Sequence, residues 1–479
     1  MKLGSSLRRT LTIAIALLAF ALLTFLYLAS GNALLRWLYA ILVLAASGEA
    51  IMLVNKLKGS YGAYMLGGKH GIALIDKISK RNRNFWIGLA EWGLALSLGL
   101  LSIFLFRYIN KKTFALGIAT LVLMLYFVLP YTYLSMSFLN IPQITGKLNE
   151  AIANSTMNSR PAYYAISLDA ATLIGGFATL AVVSIVYNGA SIFASTISFI
   201  PSLVSGSPNY GKINGQVPGV APIIPGITMP LLSGILSLAI LLIVHEFSHG
   251  VLARIAKVKL KSVGVLLFGI VPLGAYVEPE EKKMKRLSKE KQERIFIAGV
   301  SSNILVSLIF FAIMIALLPM LNAFMHTYVS VVATIPGYPA NNVIAPGSII
   351  LKWNGYEIKN LTSFRIAAAN DTPFSIVRVQ TDKGFYIFKT NQTGKIGVYV
   401  QENYLPNGIW GSVLYFFFTL AALSFLLNFL VGVVNLLPIP GFDGWQIYKL
   451  ELKKGLLNVV GAIVVISLIL NILPWLWNV

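Results

Sequence analysis

About nine stretches of roughly 20 mostly apolar residues run through this chain, each long enough to cross a bilayer as a helix. They lie near Thr10–Ala29, Ala33–Val54, Trp86–Phe106, Thr113–Leu134, Ala165–Tyr187, Ile227–Ile255, Ile295–Leu318, Val413–Val434 and Leu457–Leu476. Hydrocarbon offers a backbone no water, so each segment must close its own hydrogen bonds, and a helix does this alone. The chain therefore reads as mostly α, a polytopic membrane protein. Of its 479 residues, 57% are hydrophobic and 11% charged, outside the range of soluble globular chains. The first run is too long for a removable signal peptide and reads as an anchor.

The net charge is +21, from 38 basic and 17 acidic residues. So basic a protein invites a nucleic-acid reading, but the charges sit in loops between apolar runs rather than along one face. Lys56, Lys58, Lys69, Lys77, Lys80, Arg81 and Arg83 share one loop. Lys257, Lys259, Lys261, Lys282, Lys283, Lys285, Arg286, Lys289, Lys291 and Arg294 share another, and Lys449, Lys453 and Lys454 a third. Placing these loops in the cytoplasm gives a consistent alternation of spans, with no nucleic acid as partner. The short loop with Arg107, Lys111 and Lys112 falls outside, against the rule. There is no cysteine, so neither disulfides nor thiolate metal ligands are available.

One apolar run ends in His245-Glu246-Phe247-Ser248-His249. Positions i and i+4 share a helix face, so both imidazoles point the same way and can hold one Zn2+. The glutamate between them is placed as a general base on a water. Polar groups at membrane depth cost about 2.5–3.5 kcal/mol each, and metal binding offsets that cost. Glu49, Glu91 and Asp169 also lie within apolar runs; a partner in the helix bundle is the commoner reason for such acids, ahead of ion relay.

A catalytic zinc takes three protein ligands and leaves one position open. The remaining histidines, His70 and His326, fall in a basic loop and on the opposite predicted side. Glu278 and Glu280 stand downstream of the motif at a spacing known from soluble zinc proteases. The stronger candidate is Asp443, in Asn435-Leu436-Leu437-Pro438-Ile439-Pro440-Gly441-Phe442-Asp443-Gly444, at the same predicted membrane side as His245. Proline and glycine there stop the helix and fix the approach of one carboxylate.

Four regions follow: an N-terminal block of spans over 1–160, a core over 161–320 with the histidine helix, a small domain over 328–405, and a C-terminal core over 411–479. Val263 to Val277 is too interrupted by glycine for a span and reads as a membrane-associated β-hairpin. Within 328–405, Val329–Val332, Ile349–Trp353, Phe374–Val379 and Phe385–Phe388 read as strands, Asn354-Gly355 as a tight turn, and Thr362–Ala369 as a short helix. This is an α+β insert.

The histidine motif together with Asn435 to Gly444 resembles the site-2 protease family of intramembrane zinc metalloproteases. Pro272 to Val277 resembles the family's membrane hairpin, and Ala298-Gly299-Val300-Ser301-Ser302-Asn303 its Gly-x-x-x-Asn element. Pro339-Ala340, Gly347 to Ile350 and Asn354-Gly355 resemble the PDZ modules many members carry. Phe442 stands where the family usually has leucine. The resemblance implies zinc on His245, His249 and Asp443, Glu246 as base, and Asn303 or Asn435 as amide donor to the oxyanion. It implies cleavage of transmembrane protein substrates within the lipid bilayer, and peptide binding by the PDZ-like insert. The expected setting is a prokaryotic plasma membrane, with the motif toward the cytoplasm. The rival reading is a polytopic metal-ion transporter, since histidines and acids within spans also build conduction sites.

Overall fold

A computed structural model of the chain describes residues 4–28, 33–57, 59–136, 162–206, 218–221, 223–226, 228–335 and 337–474. The boundary expected near residue 160 lies outside them. Among the described residues, nine helices are long and apolar enough to cross a membrane. The longer helices are α1 (Ser5–Leu28), α2 (Ala33–Asn55), α3 (Lys69–Arg81), α4 (Arg83–Leu98), α5 (Lys111–Leu123), α6 (Ala162–Val204), α7 (Leu231–Ile255), α8 (Lys289–Phe296), α9 (Ala298–Phe324), α10 (Leu361–Ala369), α11 (Gly408–Val434), α12 (Asp443–Glu451) and α13 (Lys454–Ile472). The strands are β1 (Gly59–Ser60), β2 (Ala63–Gly67), β3 (Leu260–Phe268), β4 (Val271–Pro279), β5 (Met325–Thr334), β6 (Ile349–Trp353), β7 (Tyr356–Glu357), β8 (Ile376–Thr381), β9 (Gly384–Lys389) and β10 (Val398–Pro406).

The chain forms two compact units. Of the described residues, those up to 136 with 163–312 and 420–474 make the first; 313–419 make the body of the second. In the first, α7 starts at Leu231 rather than near Ile227, because Pro230 stands at its N-cap with extended geometry. The run expected from Ile295 is divided: α8 ends at Phe296 and α9 opens at Ala298.

The expected hairpin is β3 and β4, turning at Gly269-Ile270. Gly269 has φ +59, and a β-carbon there would come within 2.6 Å of the Leu44 carbonyl oxygen. Only glycine meets both demands. The hairpin does not stand alone. It belongs to a four-stranded sheet in the order β1-β2-β3-β4, with β2 antiparallel to β3 from Ala63↔Phe268 to Gly67↔Gly264. The basic loop after α2 thus supplies two strands that no local sequence pattern announces. Tyr64 Oη donates to the Gly269 carbonyl (2.9 Å) and Gly269 N–H to the Gly62 carbonyl (3.0 Å). Glu49 of α2 accepts from Gly62 N–H at 3.0 Å. Glu91 is buried, pairs with Arg294 and accepts from Asn110 N–H. Glu91 therefore serves the bundle, whereas Glu49 is exposed and holds the turn between β1 and β2.

The second unit holds a sheet ordered β10-β5-β6-β8-β9, with β7 on β6. Strand β8 alternates buried Val377, Val379 and Thr381 with exposed neighbours, the period-2 pattern of a sheet with one covered face. Asn354 (φ +49) and Gly355 (φ +89) make the tight turn between β6 and β7. Asn360 caps α10 through a reciprocal bond with Ser363. The core gathers Val329, Val331, Ile350, Trp353, Val377 and Val379.

Candidate metal centre

Helix α7 sets His245 and His249 one turn apart, with their Nε2 atoms 3.3 Å from each other. Asp443 closes the group: its Oδ2 lies 3.2 Å from His245 Nε2 and 3.3 Å from His249 Nε2. Local chemistry puts it there. Gly441 (φ +102) turns the chain after Pro440, and Asp443 opens α12. Gly444 N–H then donates to the Asn435 carbonyl (2.7 Å), and Tyr448 Oη to the Leu436 carbonyl (2.9 Å). A β-carbon on Gly444 would lie 2.4 Å from the Leu436 oxygen, so this closure requires glycine.

The back of each imidazole is held. The Nδ1 of His249 lies 2.7 Å from the Ile295 carbonyl, which can only accept, so Nδ1 carries the proton. Its Nε2 lone pair then faces the group. The Asn303 amide lies 3.1 Å from His245 Nδ1, and its Oδ1 is buried without a partner. Exchanging the amide oxygen and nitrogen, which alters no shape, lets Oδ1 accept Nδ1–H and leaves His245 Nε2 free as well. Gly299, one turn before Asn303, packs closely on the His245 ring.

Three acceptor atoms thus face one another, and Asp443 Oδ2 is buried with no donor. Such an arrangement could hold a metal ion. Zinc bonds of about 2.0–2.1 Å in tetrahedral geometry set ligand atoms about 3.3–3.4 Å apart, which the observed triangle matches. Among the described residues, His245, His249 and Asp443 form the one group of this kind.

Glu246 points to strand β4, where its Oε2 accepts Val277 N–H at 3.2 Å. Val277 pairs with Val263 of β3, yet its N–H points away from β3, on the edge of the sheet where no strand pairs among the described residues. Asn435 is half-buried in the loop that carries Asp443. Glu278 lies outside the group: it is exposed and bonded to Lys261 Nζ and Ser262 Oγ, both at 2.8 Å. Glu280 is at the N-cap of a short helical turn, His70 lies in α3, and His326 in β5 pairs with Leu405. Neither the Ile295 carbonyl nor the role of Gly299 was legible in the sequence motifs alone. For Gly299 a signal existed, its i,i+4 relation to Asn303 on one face of α9.

The model of peptidase family M50 matches residues 233–472. An uncharacterized protein of Methanocaldococcus jannaschii is 29% identical over 250 residues, which is 50% of this chain. The chain spans 64% of that relative's length. The matched region runs from the histidine helix through Asp443 to the last span and contains every member of the metal group, and on this match the chain belongs to peptidase family M50.

Proposed function

We propose that the protein is a zinc metalloendopeptidase that cleaves transmembrane segments of other membrane proteins inside the bilayer. One observation carries this reading: three metal-ligating atoms converge beside Glu246, which itself touches an unpaired strand edge. His245, His249 and Asp443 hold the metal. When bound, zinc lowers the pKa of a water toward about 7 and polarises a carbonyl. Glu246 takes the proton of the attacking water and delivers it to the leaving amine. Asn303 keeps its amide behind His245 and orients that ring, and Asn435, in the loop that carries Asp443, serves as donor to the oxyanion.

A helical substrate hides its scissile amide within its own hydrogen bonds. The free edge of β4 accepts an unwound segment as a further strand, aligned past Glu246. The basic loops support a cytoplasmic position for the metal site in a prokaryotic plasma membrane. The second unit, with its strand–helix arrangement, serves as a PDZ-like peptide-binding module. The transporter reading gains nothing from the family match.

The test is cleavage of a reconstituted transmembrane substrate by wild type and Glu246→Gln. Wild type should cut it, and the variant should retain zinc and lose cleavage. Undiminished cleavage by the variant would sink the assignment.

A further inference from the structure

Helix α8 is only eight residues long, yet it touches both halves of the metal centre. Near its end, the Ile295 carbonyl holds His249. Two residues earlier, Glu293 is 1% exposed and packs against Glu451, itself buried at the last position of α12. The first residue of α12 is Asp443. Accordingly, α8 holds one metal ligand directly and grips the helix that begins with another.

The grip needs a proton. Tyr108 Oη donates to Glu293 Oε2 at 2.7 Å, but Glu293 Oε1 is buried without a donor. Lys289 Nζ lies 2.8 Å from Glu451 Oε1 and 4.0 Å from Glu293 Oε1, one cation for two carboxyl groups. The next cation, Arg294, is engaged by Glu91 and Glu290 and lies over the Tyr108 ring. Two ionised carboxylates cannot hydrogen-bond each other; an acid and a carboxylate can. We infer that Glu293 is a positioning residue, sharing a proton with Glu451 that clasps α12 to α8 and sets Asp443 opposite His249.

This inference rests on Asp443 as a metal ligand. Burial and the neighbouring Glu451 raise the Glu293 carboxyl to about 8. A raised carboxyl stabilises the fold below its ordinary range, near 4.5, and that stability is lost as pH rises through about 8. With the proton gone, the two carboxylates repel and the end of α12 is released. Metal affinity then falls. The ligands themselves predict the opposite, since histidines bind metal better as pH rises. An alkaline loss of affinity is therefore specific to the clasp.

The experiment titrates the full-length, detergent-solubilised protein with Zn2+ against a competing chelator, from neutral pH to above 8. Wild type should lose affinity by about tenfold, the scale on which residues supporting metal ligands act. Glu293→Gln, whose amide donates to Glu451 at every pH, should hold its affinity level. Glu290→Gln should follow wild type. Glu293→Leu should bind weakly throughout; because it can also unfold, Glu293→Gln is the deciding variant. Zinc bound at neutral pH, with wild type and Glu293→Gln showing the same pH profile, would overturn the clasp. Absence of zinc binding by wild type, or wild-type affinity in Asp443→Asn, would instead overturn the metal centre.

Discussion

Gly299 packs so closely on the imidazole of His245 that a β-carbon there would come within 2.4 Å of the ring. No side chain passes that contact without displacing the ring or helix α9. The residue works by having no side chain, which brings α9 close enough for Asn303 to reach Nδ1.

Gly299→Ala should therefore disturb the metal centre more than the fold. We expect zinc affinity to fall by at least about tenfold. Bound zinc per chain after dialysis against a chelator measures the first effect, and thermal unfolding the second. Full zinc content in the variant would show that the ring has room to move.

Asp443→Asn removes the only charge among the three ligands. The drop in zinc affinity should exceed the roughly 10–100-fold that follows loss of a supporting residue. Glu278→Gln should leave zinc content unchanged. Lys261 and Ser262, bonded to Glu278, hold its carboxyl below the usual range. A lowered carboxyl stabilises above its ordinary range and loses that contribution as pH falls. The small stability difference between wild type and Glu278→Gln should shrink in acid, as thermal melts across pH will read. Zinc loss in Glu278→Gln would transfer the third ligand to that residue.

Tyr64→Phe removes the hydroxyl that ties the N-terminal strands to the Gly269 turn. The bond is buried, and its loss should cost about 1 kcal/mol, with the unpaired Gly269 carbonyl adding to it. Because the turn carries β4, substrate cleavage should fall along with stability. A variant with reduced stability and wild-type turnover would separate the two.

Arg254, five residues beyond His249, forms a forked ion pair with Asp76 of α3. Both side chains are mostly shielded, at 27% and 31% exposure. A double-mutant cycle with Asp76→Asn and Arg254→Gln should give a coupling of about 1 kcal/mol, above that of an exposed single-contact pair. Additive single effects would mean that the pair adds nothing to the packing that holds α3, in which Ile75 is buried.

Local features are legible in the sequence. The histidine pair follows from helical spacing, the hairpin from glycine-punctuated β-branched residues, and the Asn354-Gly355 turn from its dipeptide. What escaped was pairing at a distance. Ala63 to Gly67 is short, ends in glycine and lies nearly 200 residues before its partner β3, so no local pattern marks it as a strand. The same holds for Glu91, whose partner Arg294 sits beyond a different span.

Hydrophobicity and helical spacing along the chain settle that it belongs in a membrane, that its spans are helices, and that two imidazoles share one helix face. Each depends on neighbours within a few residues, where hydrophobicity and helical periodicity suffice. Tertiary packing is what brings Asp443, already the stronger candidate by sequence, to the histidines, sets the Ile295 carbonyl and the Asn303 amide behind their rings, and seats α8 against the helix that begins with Asp443. Those relations join side chains tens to hundreds of residues apart, and packing, not periodicity, brings them within bonding distance.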